Sequence, residues 1–413
     1  MTYATTVIIG AGQAGLAMSY ELTTRGIDHV ILERGLIANS WRKDRWDSLR
    51  LLTPNWQSRL PGGGYTGKDP HGFSGKGELV SRLAGYANTH RLPVKTGIEV
   101  RSVTPGPHGY RVHTQIGPFD CRNVVVASGA CARPSIPALS LGLPHDLPTF
   151  TTFDYKRPSD LPEGGVLVVG GSASGLQLAR ELQSSGRQVI LSAGEHVRVP
   201  RRYRGRDVAW WMDASGVMDV GYRDVDDLSR VRRTPSLQLA AGESTLDLNM
   251  IQSQGVQVVG RLSAVRDGEA LFSGALRNHC DLADLKQTRL LDRFDAWADA
   301  QGLAGELPWP DRPAPTELPP VPRLSLKLSS GEIASVLWAT GYRPDHGFLD
   351  LPVFDRRGQL VHDGGIVTGA PGLYAMGLPF MRRRKSTLVD GAAADAHDLA
   401  NHMYAQLSCA AAA

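Results

Sequence analysis

The chain has 413 residues, enough for two or three domains and a large core, and its 42% apolar and 21% charged content is ordinary for a soluble globular protein. A net charge of +4 is too weak to argue for nucleic acid, and no apolar run reaches the length of a membrane span. Cys121, Cys131, Cys280 and Cys409 lie far apart with no C-x-x-C, so neither a redox dithiol nor a cysteine metal site is supported; adjacent His279 and Cys280 are poor geometry for one ion.

The chain enters a strand at once. Val7-Ile8-Ile9 is a short apolar run, and no charged leader or cleavage site precedes it, so a cytoplasmic protein is expected. Gly10, Gly12 and Gly15 then form G-x-G-x-x-G where strand should become helix. Leu16, Ala17, Tyr20 and Leu22 give the helix an apolar face, and Gly26 stops it. His29 to Leu32 reads as a second strand, ended by Glu33. Gly10 permits the tight turn, Gly12 lets backbone approach a pyrophosphate, and Gly15 lets helix pack on strand. Glu33 can accept from ribose hydroxyls, which favours FAD or NAD over NADP at this turn.

Next comes an arginine-rich, loop-like region with Trp41, Trp46 and Trp56, read either as surface packing or as a cover over a flat cofactor ring. Glu78 to Thr89 has helical periodicity, and Val94 to Val103 with Tyr110 to Ile116 reads as a small antiparallel insert. Val124-Val125-Val126 is a buried strand closed by the turn Ala127-Ser128-Gly129. Residues 130–165 are proline-rich and linker-like.

The opening pattern then repeats at an offset of 160 residues, Gly10 to Gly170. Val166 to Val169 is a strand and Gly170-Gly171-Ser172-Ala173-Ser174-Gly175 a turn. A helix ends at Gly186, and Gln188 to Leu191 is the next strand. Ser172 replaces the middle glycine, but serine is small and can bond phosphate. No acid ends the second strand. Ser192 stands there, followed by Arg198, Arg201, Arg202, Arg204 and Arg206, a pattern that suits a 2′-phosphate and so NADPH over NADH. A solvated basic loop is the plain alternative for any one of these arginines.

Asp247 to Gly255 reads as a helix leading into a strand at Val256 to Val259. Asp281 to Trp297 is an amphipathic helix presenting Leu282, Leu285, Leu290, Phe294 and Trp297. Seven prolines between Pro308 and Pro322 exclude regular structure and read as a linker back to the first fold. Ala339-Thr340-Gly341 echoes Ala127-Ser128-Gly129, Leu373 to Leu378 is a last strand and turn, and Ser386 to Leu407 is a closing helix after the basic run Arg382 to Lys385.

With two such folds, two A-[ST]-G turns and Ser40-Trp41-Arg42, the chain resembles class B flavoprotein monooxygenases, nearest the flavin-containing and YUCCA-like bacterial branch. Arg198 to Asp207, Val336 to Asp345 and Gly377 to Thr387 are similar to that branch. The resemblance implies an α/β fold of two Rossmann-like dinucleotide-binding domains, the FAD domain discontinuous and the NADPH domain inserted. The boundaries expected are 1–155 and 330–413 for the FAD domain, and 156–329 for the NADPH domain with a helical insert. The FAD site expected comprises Gly10, Gly12, Gln13, Ala14, Gly15, Glu33, Arg34, Ser40, Trp41, Leu52, Val100, Ser128, Gly129 and Gly377. The NADPH site expected comprises Gly170, Ser172, Ser174, Gly175, Ser192, Arg198 and Arg201.

There are departures. Of the family motif F-x-G-x-x-x-H-x-x-x-[FY], only Tyr155 fits between His145 and Tyr155. Leu52 stands where the flavin-containing branch has asparagine, with Asn55 nearby. Both departures bear on oxygenation more than on nucleotide binding. The resemblance implies NADPH-dependent monooxygenation through a C4a-(hydro)peroxyflavin, with O2 and a small nitrogen or sulfur nucleophile or a carbonyl compound as substrates. A flavin-linked reductase serving a quinone or protein acceptor, and a non-enzymatic flavoprotein, remain alternatives. No catalytic side chain and no metal site is assigned, no nucleic-acid partner is expected, and self-association is left open.

Overall fold

The computed structural model describes residues 2–411. Thr2–Ile9 is the middle strand of the first sheet. It lies parallel to His29–Glu33 on one side and Gly117–Val126 on the other, with Ile8 opposite both Ile31 and Val125. All three of those side chains are fully buried, as apolar runs in a parallel sheet covered on both faces should be. Val94–Thr96 and Leu373–Ala375 extend the parallel sheet at its flanks. Val100–Gly106 and Gly109–Thr114 form an antiparallel ribbon that runs into Gly117–Val126. Helix Gln13–Thr24 packs against the C-terminal helix Val389–Ala411.

The second sheet has five strands, all parallel, in the order Gln257–Gly260, Val189–Ala193, Val166–Val169, Ser335–Trp338 and Thr149–Thr151. Helix Ala173–Ser184 follows its central strand. A small antiparallel sheet of Leu262–Arg266, Glu269–Phe272 and Ser325–Lys327 flanks it. Two dinucleotide folds are therefore present, as the repeated motif requires. No helix among the described residues is long and apolar enough to cross a membrane.

The two turns are built alike. Gly10 has φ +108° and Gly170 φ +124°, backbone that side-chain-bearing residues rarely adopt. A β carbon on Gly15 would overlap the carbonyl oxygen of Gly10, and one on Gly175 would overlap that of Gly170. The helix can seat against the strand only because those positions carry no side chain.

Several expectations shift. Strands Thr149–Thr151 and Ser335–Trp338 both pair in the second sheet, so that fold begins before residue 155 and ends after residue 330. The proline-rich stretch does not return to the first fold but leads into Ser325–Lys327. The chain crosses between folds at Arg133–Pro134 and Tyr342–Arg343, which pair with each other antiparallel just after the two small-residue turns. The long helix spans Leu276–Ala300 and buries Leu276, Cys280, Ala283, Gln287, Leu291, Phe294 and Ala298, leaving Leu282 and Leu285 exposed. Its true apolar stripe includes small residues and a glutamine, which a search for large apolar side chains passes over.

The glycine contact predicts that Gly15→Val forces the first helix off its strand. The thermal midpoint should fall by roughly 5 °C or more. A wild-type midpoint in a thermal melt would show that the contact is not required.

Candidate functional site: two nucleotide cradles

A cavity of about 570 Å³ opens at the carboxyl end of the first sheet, a volume in the range of cofactor pockets. Gly10, Gly12, Gln13, Ala14, Glu33, Arg34, Ser40, Trp41, Val100, Ser128, Gly129 and Gly377 all line it. Gly15 does not, because it sits behind the turn against Gly10. Leu52 does not line it either. Its side chain packs with the cluster around Trp211 and Phe294, and its carbonyl accepts from Arg201 Nη1 at 2.8 Å.

The cavity suits a dinucleotide. A β carbon on Gly12 would meet nothing within 4 Å, so the turn's backbone is open to a ligand. Helix Gln13–Thr24 has no side-chain cap at its start, leaving first-turn N–H groups for an anion. Glu33 is held at the rim: Oε2 accepts from Ala11 N–H at 2.9 Å and Oε1 from Gly35 N–H at 2.9 Å, with lone pairs left for ribose hydroxyls. The Ser128 hydroxyl is buried with no partner among the described residues, an orphan that a bound molecule would satisfy. Trp41 Nε1 donates to Gln13 Oε1 at 3.3 Å, and Gln13 Nε2 donates to Thr387 O at 3.4 Å. These bonds tie the short helix Asn39–Lys43, which carries Trp41, to the starts of helices Gln13–Thr24 and Val389–Ala411. Trp46 instead is buried beside Tyr155 in the core of the second fold.

Arg45, which sequence reasoning passed over, is the main addition. It lines the cavity, and its guanidinium lies over the rings of Trp41, Phe153 and Tyr342 at 5.4–5.7 Å. Trp41 belongs to the first fold, whereas Phe153 and Tyr342 follow strands of the second. The cage therefore joins the folds where the two crossing segments run side by side. Cys131 borders the same cavity; burial pushes its thiol above the ordinary range, against the opposing pull of Arg45. Arg133 and Asp345 are also in the wall and pair at 2.6 Å. Burial raises the Asp345 carboxyl, but bonds from Gly347 N–H and Arg133 outweigh it and hold the group below its usual range. The small-residue turns preceding these segments were the available signal; nothing in the sequence pairs residue 133 with residue 345.

At the second turn, Gly170 and Gly175 repeat the steric arrangement of the first. Ser172 caps helix Ala173–Ser184 by backbone position alone, and it and Ser174 are partly exposed. The other three expected residues are not brought to this turn. The Ser192 hydroxyl is buried, donating to Gly260 O at 3.0 Å and accepting from Leu262 N–H at 2.8 Å. Arg198 is 3% exposed and bonds Asp247 at 2.9 Å, Asp284 at 2.7 Å and the carbonyl of Ala314 at 2.8 Å. Burial lowers its pKa, but the two carboxylates raise it by more. Arg201 is fully buried, lies over the ring of Phe73 at 4.5 Å, and makes a forked pair with Asp207 at 2.7–2.8 Å. These arginines are internal struts. Their charge is already neutralised, so they have little to offer a phosphate.

Residues 7–204 match the family described as pyridine nucleotide-disulphide oxidoreductase. A CzcO-like uncharacterized oxidoreductase of Geobacillus kaustophilus is 31% identical over 407 residues, covering 96% of this chain and 98% of its own. The chain belongs to the CzcO-like oxidoreductases. The probable indole-3-pyruvate monooxygenase YUCCA4 of Arabidopsis thaliana is 31% identical over 43% of each chain. A flavin-containing monooxygenase structure from Stenotrophomonas maltophilia superposes with a TM-score of 0.66 at 20% identity, over 98% of this chain and all of that one. The resemblance to class B flavoprotein monooxygenases is thus borne out, and the chain is an oxidoreductase built on two dinucleotide-binding folds.

Removing a strut should act on stability rather than on cofactor choice. Arg198→Met leaves Asp247 charged and unpaired in the core, at a cost of ~3–5 kcal/mol. Thermal melts should show a large drop, while whatever NADPH and NADH binding remains should weaken together. Loss confined to NADPH would return Arg198 to the phosphate site.

Proposed function

We propose that this CzcO-like oxidoreductase is an NADPH-dependent monooxygenase that places one oxygen atom of O2 on a small nitrogen or sulfur nucleophile or a carbonyl compound. The observation that carries the reading is the first-fold cavity, which runs from the glycine turn to the crossing segments that join the second fold. Bound FAD would supply the redox chemistry that links NADPH to O2. The chain's own residues bind, orient and shield.

The backbone at Gly10 and Gly12, with the helix start behind it, receives the FAD diphosphate. Glu33 takes the adenosine ribose, and Val100 and Ile98 line the adenosine end. The Trp41–Gln13 bond holds the short helix Asn39–Lys43 at the cavity wall. Ile9, Leu32, Ala38 and Phe348 add apolar surface to the cavity wall around the glycine turn and the adenosine end. NADPH lies at the turn Gly170 to Gly175, on the other side of the Arg45 cage. The relatives named as monooxygenases support the reaction class. A second reading, electron transfer to a quinone or protein acceptor without oxygenation, is favoured by Leu52, which packs away from the cavity at the position of the family's asparagine.

The two readings separate in one experiment. Anaerobic NADPH should bleach the flavin of the purified protein, and admitting 18O2 with a panel of amines, sulfides and ketones should yield product carrying a single labelled oxygen. Flavin reoxidation that gives only hydrogen peroxide across the panel, with rapid turnover on a quinone, would overturn oxygenation and leave the reductase reading.

A further inference from the structure

A nucleotide bound at a strand–turn–helix lays its adenosine ribose over the carboxyl end of the second strand. In the second fold that strand is Val189–Ala193, followed by Gly194. None of the three residues expected from sequence serves there: the Ser192 hydroxyl is spent inside the sheet, Arg198 is held by the buried Asp247, and Arg201 is paired with Asp207.

A different cation occupies that edge. Gln257–Gly260 lies parallel to Val189–Ala193, with Gly260 opposite Ala193, so Arg261 leaves the sheet beside Gly194. A β carbon on Gly194 would lie 3.3–3.4 Å from Cβ, Cγ and Cδ of Arg261. The arginine stem therefore rests on the glycine, in space that any side chain at 194 would crowd. A β carbon on Gly171 would lie 2.8 Å from Ala193 Cβ, which places the phosphate-binding turn directly against the same strand end. The backbone of Arg261 is fixed, its carbonyl accepting from Ser273 N–H at 2.8 Å. Its side chain is exposed, and no hydrogen-bond acceptor or carboxylate engages the guanidinium among the described residues. Glu195, the acid that follows Gly194, is held by Lys286 Nζ at 3.0 Å.

We propose that Arg261 reads the 2′-phosphate of NADPH, a phosphomonoester dianion, and so sets the preference for NADPH over NADH. A guanidinium gives paired, charge-assisted hydrogen bonds to phosphate oxygens, which the unphosphorylated ribose of NADH lacks. Gly194 is the companion requirement, since it leaves room for the stem. The assignment rests on NADPH binding at the turn Gly170 to Gly175.

Calorimetric titration of the FAD-loaded full chain tests it without turnover, using adenosine 2′,5′-bisphosphate and adenosine 5′-monophosphate as probes. The wild type should bind the bisphosphate more tightly, and more so at low salt. Arg261→Ala should weaken the bisphosphate by about tenfold or more while leaving the monophosphate within about twofold, and Arg261→Lys should restore part of the loss. Unchanged bisphosphate affinity in Arg261→Ala overturns the assignment alone. A wild type that binds neither probe overturns the placement of NADPH as well.

Discussion

Contact between the first and last glycines of each turn is what the rest of the molecule depends on. The helix start can approach the strand end only where Gly15 meets Gly10 and Gly175 meets Gly170 with no side chain between them. That approach aims uncapped N–H groups over the carboxyl edge of each sheet, and in the first fold it opens a cavity that Glu33 and Ser128 border with oxygen atoms. Steric exclusion, rather than any attractive contact, thus creates both cradles. The attraction comes later, from backbone dipoles facing an anion.

The two cradles work together only if the folds hold their relative placement. Two crossing strands, Arg133–Pro134 and Tyr342–Arg343, supply the covalent link. The Arg45 cage adds a side-chain link, a cation shared between rings of both folds. Farther out, Arg201 bonds Leu52 across the same boundary, and Arg59 pairs with Asp213 and with Asp390 of the C-terminal helix. Ion pairs of this kind favour one arrangement of the folds because an unpaired buried partner is costly. The same commitment removes Arg198 and Arg201 from ligand binding, so structural and nucleotide-reading cations are divided between different residues.

What was legible in the sequence is what backbone sterics dictate. Both strand–turn–helix units, the acid at residue 33 and the small-residue turns were readable because few residue types fit those positions. The run Arg198 to Arg206 misled because a basic cluster does not disclose its partners: Asp247 and Asp284 lie 49 and 86 residues from Arg198, and Leu52 lies 149 residues from Arg201. Arg261 stood alone in sequence and gained meaning only from its place beside Gly194. The domain boundaries were displaced for a related reason, since Ser335–Trp338 is an apolar strand that either sheet could have accepted. Pairing with Val166–Val169 decides the matter, and no local pattern records it.

We place FAD in the first cradle and NADPH in the second, on opposite sides of the Arg45 cage. A crystal structure of the chain grown with FAD and NADP+ tests it most directly. The FAD diphosphate should lie against Gly12 and the start of helix Gln13–Thr24, and the nicotinamide nucleotide against Ser172 and Ser174. Flavin bound anywhere else, or both nucleotides competing for the first cradle, would contradict it.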